Sequence, residues 1–241
     1  MSLGTRLTGV FSSPGDVFEE VKKGPPSTGN WLAPLVMWCL AGVLAACVMF
    51  SQDTVMQQIR EQKERALQKK LAGLPKEQRE QVMASAEKFT TPGLMATFGS
   101  IGSVLTNVGW LFGMAAVLWL LGKLVFKSSF LYMQAVEVCG LAAMITILNV
   151  LISMLLVVVM GYTVATPGPI LLVREPSAAN PAHLALSALN VITFWYLAVL
   201  SLGLAKLSGA SAVKTALWLF GLWGVCRTGL IFLTLAAQRF S

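Results

Sequence analysis

From residue 31 onward, long apolar runs alternate with short polar connections. Trp31 to Phe50 contains no ionisable side chain, and neither does Ile101 to Leu121. A run of about 20 apolar residues, at about 1.5 Å of rise each, matches the roughly 30 Å hydrocarbon core of a bilayer. The pattern predicts five spanning helices, at about 31–50, 100–122, 134–160, 184–205 and 213–236. The expected fold class is therefore all-α, an integral membrane bundle of five transmembrane helices.

The first 30 residues have a different pattern. Ser13-Pro14-Gly15-Asp16 has the form of a helix start, with Ser13 as cap, Pro14 in the first turn and Asp16 three residues after the cap. Val17, Phe18 and Val21 then share one side, with Glu19, Glu20, Lys22 and Lys23 around the other, until Gly24-Pro25-Pro26 ends the pattern. This is a short amphipathic helix, expected to pack partly on the bundle and partly at the interface, with Phe18 as anchor. Residues 1–30 are read as a cytosolic segment and residues 31–241 as the membrane domain.

Residues 51–93 hold eight of the eighteen basic and six of the eleven acidic residues. Val55, Ile59, Leu67 and Leu71 have helical spacing, Gly73-Leu74-Pro75 breaks it, and a second helix is expected from Pro75 to Phe89. The result is an extramembrane helical hairpin, either a solvated charged surface or a docking element for a protein partner.

Composition supports the membrane class. Hydrophobic residues make up 56 % of the 241 and charged residues 12 %, about half the share usual in soluble domains. The net charge of +7 lies in connections rather than on one face, which argues for lipid headgroups and against nucleic acid. With the N-terminus in the cytosol, the inner short segments carry Arg6, Lys22, Lys23, Lys123, Lys127, Lys206 and Lys214, and the outer ones only Arg174 and Arg239. That asymmetry predicts N-terminus in and C-terminus out. Cys39, Cys47, Cys139 and Cys226 all sit in apolar runs without paired spacing, so neither a disulfide framework nor a metal site is expected. Leu44-Ala45-Ala46-Cys47 has the form of a lipoprotein cleavage box, but the apolar run continues past it, so no lipidation is expected.

Ionisable groups inside spans are functional candidates by default. Two qualify, Glu137 in span three and Arg227 in span five, and an ion pair between them is one expectation. The other is that Glu137 lies at the headgroups while Arg227 snorkels or bonds carbonyls. Asn107, Asn149 and Asn190 fall on spans two, three and four, where such side chains bridge helices or line a polar cavity. Glu137, Arg227, Asn149 and Asn190 are thus the expected intramembrane polar network. Gly109 and Gly113, four apart in span two, form a helix-packing face, either within the bundle or between two copies. Catalysis has little to work with. The sole histidine, His183, is in a loop, no span holds an Asp, and no phosphate-binding loop is present. No cofactor is expected.

Phe11-Ser12-Ser13-Pro14 with Val17-Phe18, followed by Trp31, Pro34 and Leu35, resembles the opening of the Yip family, five-span membrane proteins named for Rab-GTPase interaction. Leu186-Ser187-Ala188-Leu189-Asn190-Val191 with Trp195, and Leu202-Gly203-Leu204-Ala205, resemble its fourth-span signature. The resemblance implies a five-helix bundle with a cytosolic N-terminus, and its eukaryotic members act in vesicle trafficking and membrane shaping. This chain differs in having no long polar N-terminal region and in its charged insertion between spans one and two, features similar to the prokaryotic members. Rab binding is therefore not carried over, and no functional residue is transferred. The expected function is a non-enzymatic scaffold or organiser in membrane, envelope or trafficking processes, in a bacterial cytoplasmic membrane. Its expected partners are the lipid bilayer and either other proteins or a second copy, met through span two or the 51–93 hairpin. The alternative is a small permease or transporter component with a polar intramembrane cavity.

Overall fold

The computed structural model describes residues 1–71, 75, 78, 82–83, 90–177 and 180–240; side chains at 62, 63, 65, 66, 68–70 and 235–240 are left aside. Nine helices follow one another among the described residues, with no strand: α1 (Leu3–Ser12), α2 (Pro14–Lys23), α3 (Gly29–Phe50), α4 (Asp53–Leu71), α5 (Pro92–Leu124), α6 (Tyr132–Met160), α7 (Pro181–Ala188), α8 (Val191–Ser208) and α9 (Ala212–Phe240). A single 3-10 turn, Pro169–Leu172, lies between α6 and α7. Helices α3, α5, α6, α8 and α9 (to Thr234) are long and apolar enough to cross a membrane. The fold is an all-α membrane bundle.

Helix α6 is the centre. It packs on α3, α5 and α8, while α9 rests mainly on α8 and α7. Two glycines permit the close crossings. A Cβ at Gly140 would collide with the Trp31 backbone on α3, and one at Gly203 on α8 would collide with Val138 on α6. These contacts fix the levels of the helices. The near end is where α3, α6 and α9 begin and where α5 and α8 finish. Asn107 on α5 donates to the Trp38 carbonyl of α3 at 3.3 Å, and Thr215 Oγ1 on α9 donates to the Ser201 carbonyl of α8 at 2.8 Å.

Helices α1 and α2 cover the near end. The Leu7, Val10, Phe11 spacing of α1 turns one face inward, and Val10 is fully buried. Two features of α2 differ from expectation. The Ser13 side chain makes no capping bond; its N–H closes α1 on the Gly9 carbonyl and its carbonyl starts α2. Phe18 is not a lipid anchor, because it is fully buried in the space left by Gly203. The apolar face of α2 is spent on α8, and the bundle outcompetes the interface for it.

Span four is broken. Its helix was expected from residue 184, but the chain leaves helical geometry at Leu189 and Asn190, so α7 is a separate short helix and α8 starts at Val191. On the charged insertion, α4 is present and buries Val55 against Val157 and Ala165 at the far end. The second arm expected from Pro75 to Phe89 lies, apart from isolated positions, outside the described residues.

Candidate functional site

Three polar places lie within or beside the spans. The first is at the near end, where the connector from α2 to α3 folds over the first turns of α6. Glu137, 1 % exposed, accepts from the Ser27 N–H at 3.0 Å and from Asn30 Nδ2. Both donors flank the start of α3, whose unpaired N–H groups and dipole favour a carboxylate there. Asn30 Oδ1 in turn accepts from Arg6 Nη1 at 3.3 Å, and Arg6 pairs with Glu20 at 3.3 Å. Gln134, one turn before Glu137, donates to the Val21 and Lys22 carbonyls at 3.4 and 3.2 Å. A chain of bonds thus runs from α6 through the connector to α1 and α2.

The same helices are held from outside by ion pairs. Glu19 bridges Lys23 at 3.1 Å and Lys206 of α8 at 3.3 Å. Hydrogen bonds first from Lys23 and then from Lys206 hold the Glu19 carboxyl below its usual range. The amino-terminal ammonium, with Arg6 adding to it, does the same for Glu20.

The second place is the break in span four. Asn190, 4 % exposed, caps α8: its Oδ1 accepts from Ile192 N–H at 2.9 Å and Thr193 N–H at 3.3 Å. Its Nδ2 donates to Asn149 Oδ1 on α6 at 2.8 Å. Val191 N–H donates to the Pro167 carbonyl at 3.0 Å, and Thr166 Oγ1 donates to the Ser187 carbonyl at 3.0 Å. The loop after α6 comes this close because a Cβ at Gly168 would strike the Leu189 carbonyl. The amides of the first turn of α8 are therefore bonded inside the chain, as non-helical backbone in a membrane requires.

The third place is Arg227, exposed on α9 and without a hydrogen bond or ion pair among the described residues. Phe220 and Trp223, two turns and one turn before it, pack on Phe194 of α8 with ring centroids 6.1 and 5.2 Å apart. The two helices are antiparallel, so one turn beyond Trp223 and one turn before Phe194 places Arg227 level with Asn190 and Asn149. An uncompensated arginine at the centre of a span costs about 2.5–3.5 kcal/mol on insertion scales.

The expected four-residue network therefore divides. The structure brings Asn149 and Asn190 together, places Glu137 elsewhere, and gives Arg227 no partner among the described residues. Glu137 and Arg227 do not pair. Arg227 is level with Asn149, which is twelve residues beyond Glu137 on α6, about 18 Å at 1.5 Å per residue. The connector also offers Glu137 nearer donors. Sequence reasoning missed Asn30 and Arg6, since nothing in the spacing links them to a residue more than 100 positions away. The apolar spacing of α1 was a readable signal.

Gly109 and Gly113 face away from the bundle. A Cβ at either, or at Gly102, would meet nothing within 4 Å. They are not the seam that α5 uses inside the bundle; there Asn107, Leu111, Ala115 and Leu118 are buried. His183 is engaged in its own loop, with Nδ1 accepting from Ser177 N–H at 3.1 Å and Nε2 3.3 Å from Asn180 Nδ2. Among the described residues no group of three His, Cys, Asp or Glu side chains is placed to hold a metal.

A family model described as the Yip1 domain matches residues 8–233 of the chain. No curated protein and no solved structure matches it.

Proposed function

The chain belongs to the Yip1 domain family, and from that premise we propose that this multi-pass membrane protein is non-enzymatic, a scaffold or organiser of membrane, envelope or trafficking processes. One observation carries the reading. The polar side chains at the break, buried Asn190 and half-buried Asn149, are tied to each other, and Asn190 spends its oxygen on the first turn of α8. A transport or catalytic centre needs polar groups free to bind a solute or move a proton. What the bundle leaves open is on its outer surface instead. The bare glycine face of α5, with Gly102, Gly109 and Gly113, admits a helix from a second copy or from another protein, and the charged 51–93 insertion is a further docking element. The residence is a bacterial cytoplasmic membrane, N-terminus in and C-terminus out.

The test is site-specific photo-crosslinking from positions 109 and 113 in native membranes. Discrete protein adducts at both positions, absent from an exposed control at Leu40 on α3, support the organiser reading. Lipid adducts alone, together with solute flux in vesicles carrying the purified chain, overturn it. The second reading, a small permease, is favoured by the broken span four, since discontinuous helices mark substrate sites in transporters. That flux measurement decides it.

A further inference from the structure

Arg227 is a cation set in the apolar middle of the molecule, and the chain does not neutralise it among its described residues. Its level is that of Asn149, with eleven residues of uncharged α6 on either side, from Val138 to Met160, or about 16 Å each way. A lipid phosphate beyond that distance is out of reach of an arginine stem without thinning the bilayer. Helix α9 is also the barest span: 6 % of its apolar window is buried, against 56 % for α8. Ala216, Phe220, Trp223 and Arg227 follow one another at helical spacing on a single stripe. The near half of that stripe packs on α8; the half that ends in Arg227 runs past the start of α8, and although α7 also touches α9, Arg227 itself stays exposed. Gly224, on the same side one turn before Arg227, has open space where a side chain would stand, so a neighbouring backbone can come close.

We propose that Arg227 and the far half of α9 form a docking face for a membrane-spanning helix of another protein that carries a carboxylate at mid-depth. A second copy of this chain does not fit. Of the acidic side chains among the described residues only Glu137 lies in a spanning helix, and it is buried and bonded to Ser27 and Asn30 at a different depth. Charge complementarity therefore points to a heterologous helix, and the open glycine beside the cation suits helix-on-helix contact.

The probe is a synthetic leucine-rich helix of about 20 residues with one central Glu, and its Gln counterpart. Each carries an acceptor dye and is reconstituted with the full-length protein in phosphatidylcholine vesicles. Energy transfer from donor-labelled protein reads binding. The Glu helix is expected to bind about ten-fold more tightly than the Gln helix. Arg227→Gln should abolish that preference and Arg227→Lys should retain most of it. Equal binding of the two helices to wild type, or a preference unchanged in Arg227→Gln, overturns the proposal. Vesicles in which part of the lipid is phosphatidylglycerol form the lipid arm. If that lipid removes the preference for the Glu helix, and Arg227→Gln loses enrichment of the anionic lipid, Arg227 is a lipid site and the proposal fails. Arg227 is on the surface and bonds nothing among the described residues, so Arg227→Gln should fold like wild type by its thermal transition.

Discussion

A buried carboxylate, a pair of asparagines and an arginine show how differently one chain treats polar groups at membrane depth. Glu137 is tolerated because the start of α3 supplies an N–H and an amide to it, and these replace its water shell with fixed dipoles. Glu137→Ala strands the Ser27 N–H and Asn30 Nδ2 and is expected to cost about 2–3 kcal/mol in unfolding from mixed micelles. The same experiment tests the separation of Glu137 from Arg227. Combining Glu137→Ala with Arg227→Ala should give the sum of the single effects within about 0.5 kcal/mol, and a larger coupling would mean the two residues interact. At the break, Asn190→Ala removes both the cap of α8 and the bridge to Asn149 and is expected to cost about 1–2 kcal/mol in the same titration. The asparagines were recognisable as helix bridges from their place in apolar runs. Which of them bridges which was not, because that depends on crossings set by Gly140 and Gly203.

At the scale of elements, the hairpin of α1 and α2 is a lid fastened by both kinds of force. Val10, Val17, Phe18 and Val21 are buried, and Glu19 and Glu20 pin its outer side to Lys206, Arg6 and the terminal ammonium. The folded state holds both carboxyls below their usual value of 4.5. Their contribution is therefore complete above that value and is lost as the pH falls through the lower folded values. Hydrogen exchange of residues 3–23, corrected for intrinsic rates, should show protection that is steady from pH 7 to about 5 and weakens below about 4. In Lys206→Met the Glu19 part of that loss should shrink. Unchanged protection across the range would mean that apolar burial alone holds the lid. The amphipathic pattern of α2 was visible in the sequence. Its destination was not, because an apolar face reads the same whether lipid or protein covers it, and the cavity at Gly203 decides between them.

The whole molecule is packed unevenly. The near half of α6 is enclosed by α3, α5 and α8, whereas α9 leans on α8 and α7 and buries little of its surface. In a denaturing detergent titration, a fluorescent probe on α9 should respond at lower denaturant than one on α6, and coincident transitions would show that the bundle melts as one unit. The unevenness gives the proposed partner helix its place, since a span that owes little to its own chain has surface to offer another. The membrane class, the number of spanning helices and the family resemblance all followed from the sequence, because a bilayer allows few solutions: an apolar run of sufficient length without charge has to cross as a helix that bonds its own backbone. The tertiary structure decided the break in span four, the burial of Phe18, the partners of Glu137 and the separation of Arg227 from Glu137. Each depends on which residues come level when helices cross, and crossings are set by side-chain volumes far apart in the chain rather than by any local run of residues.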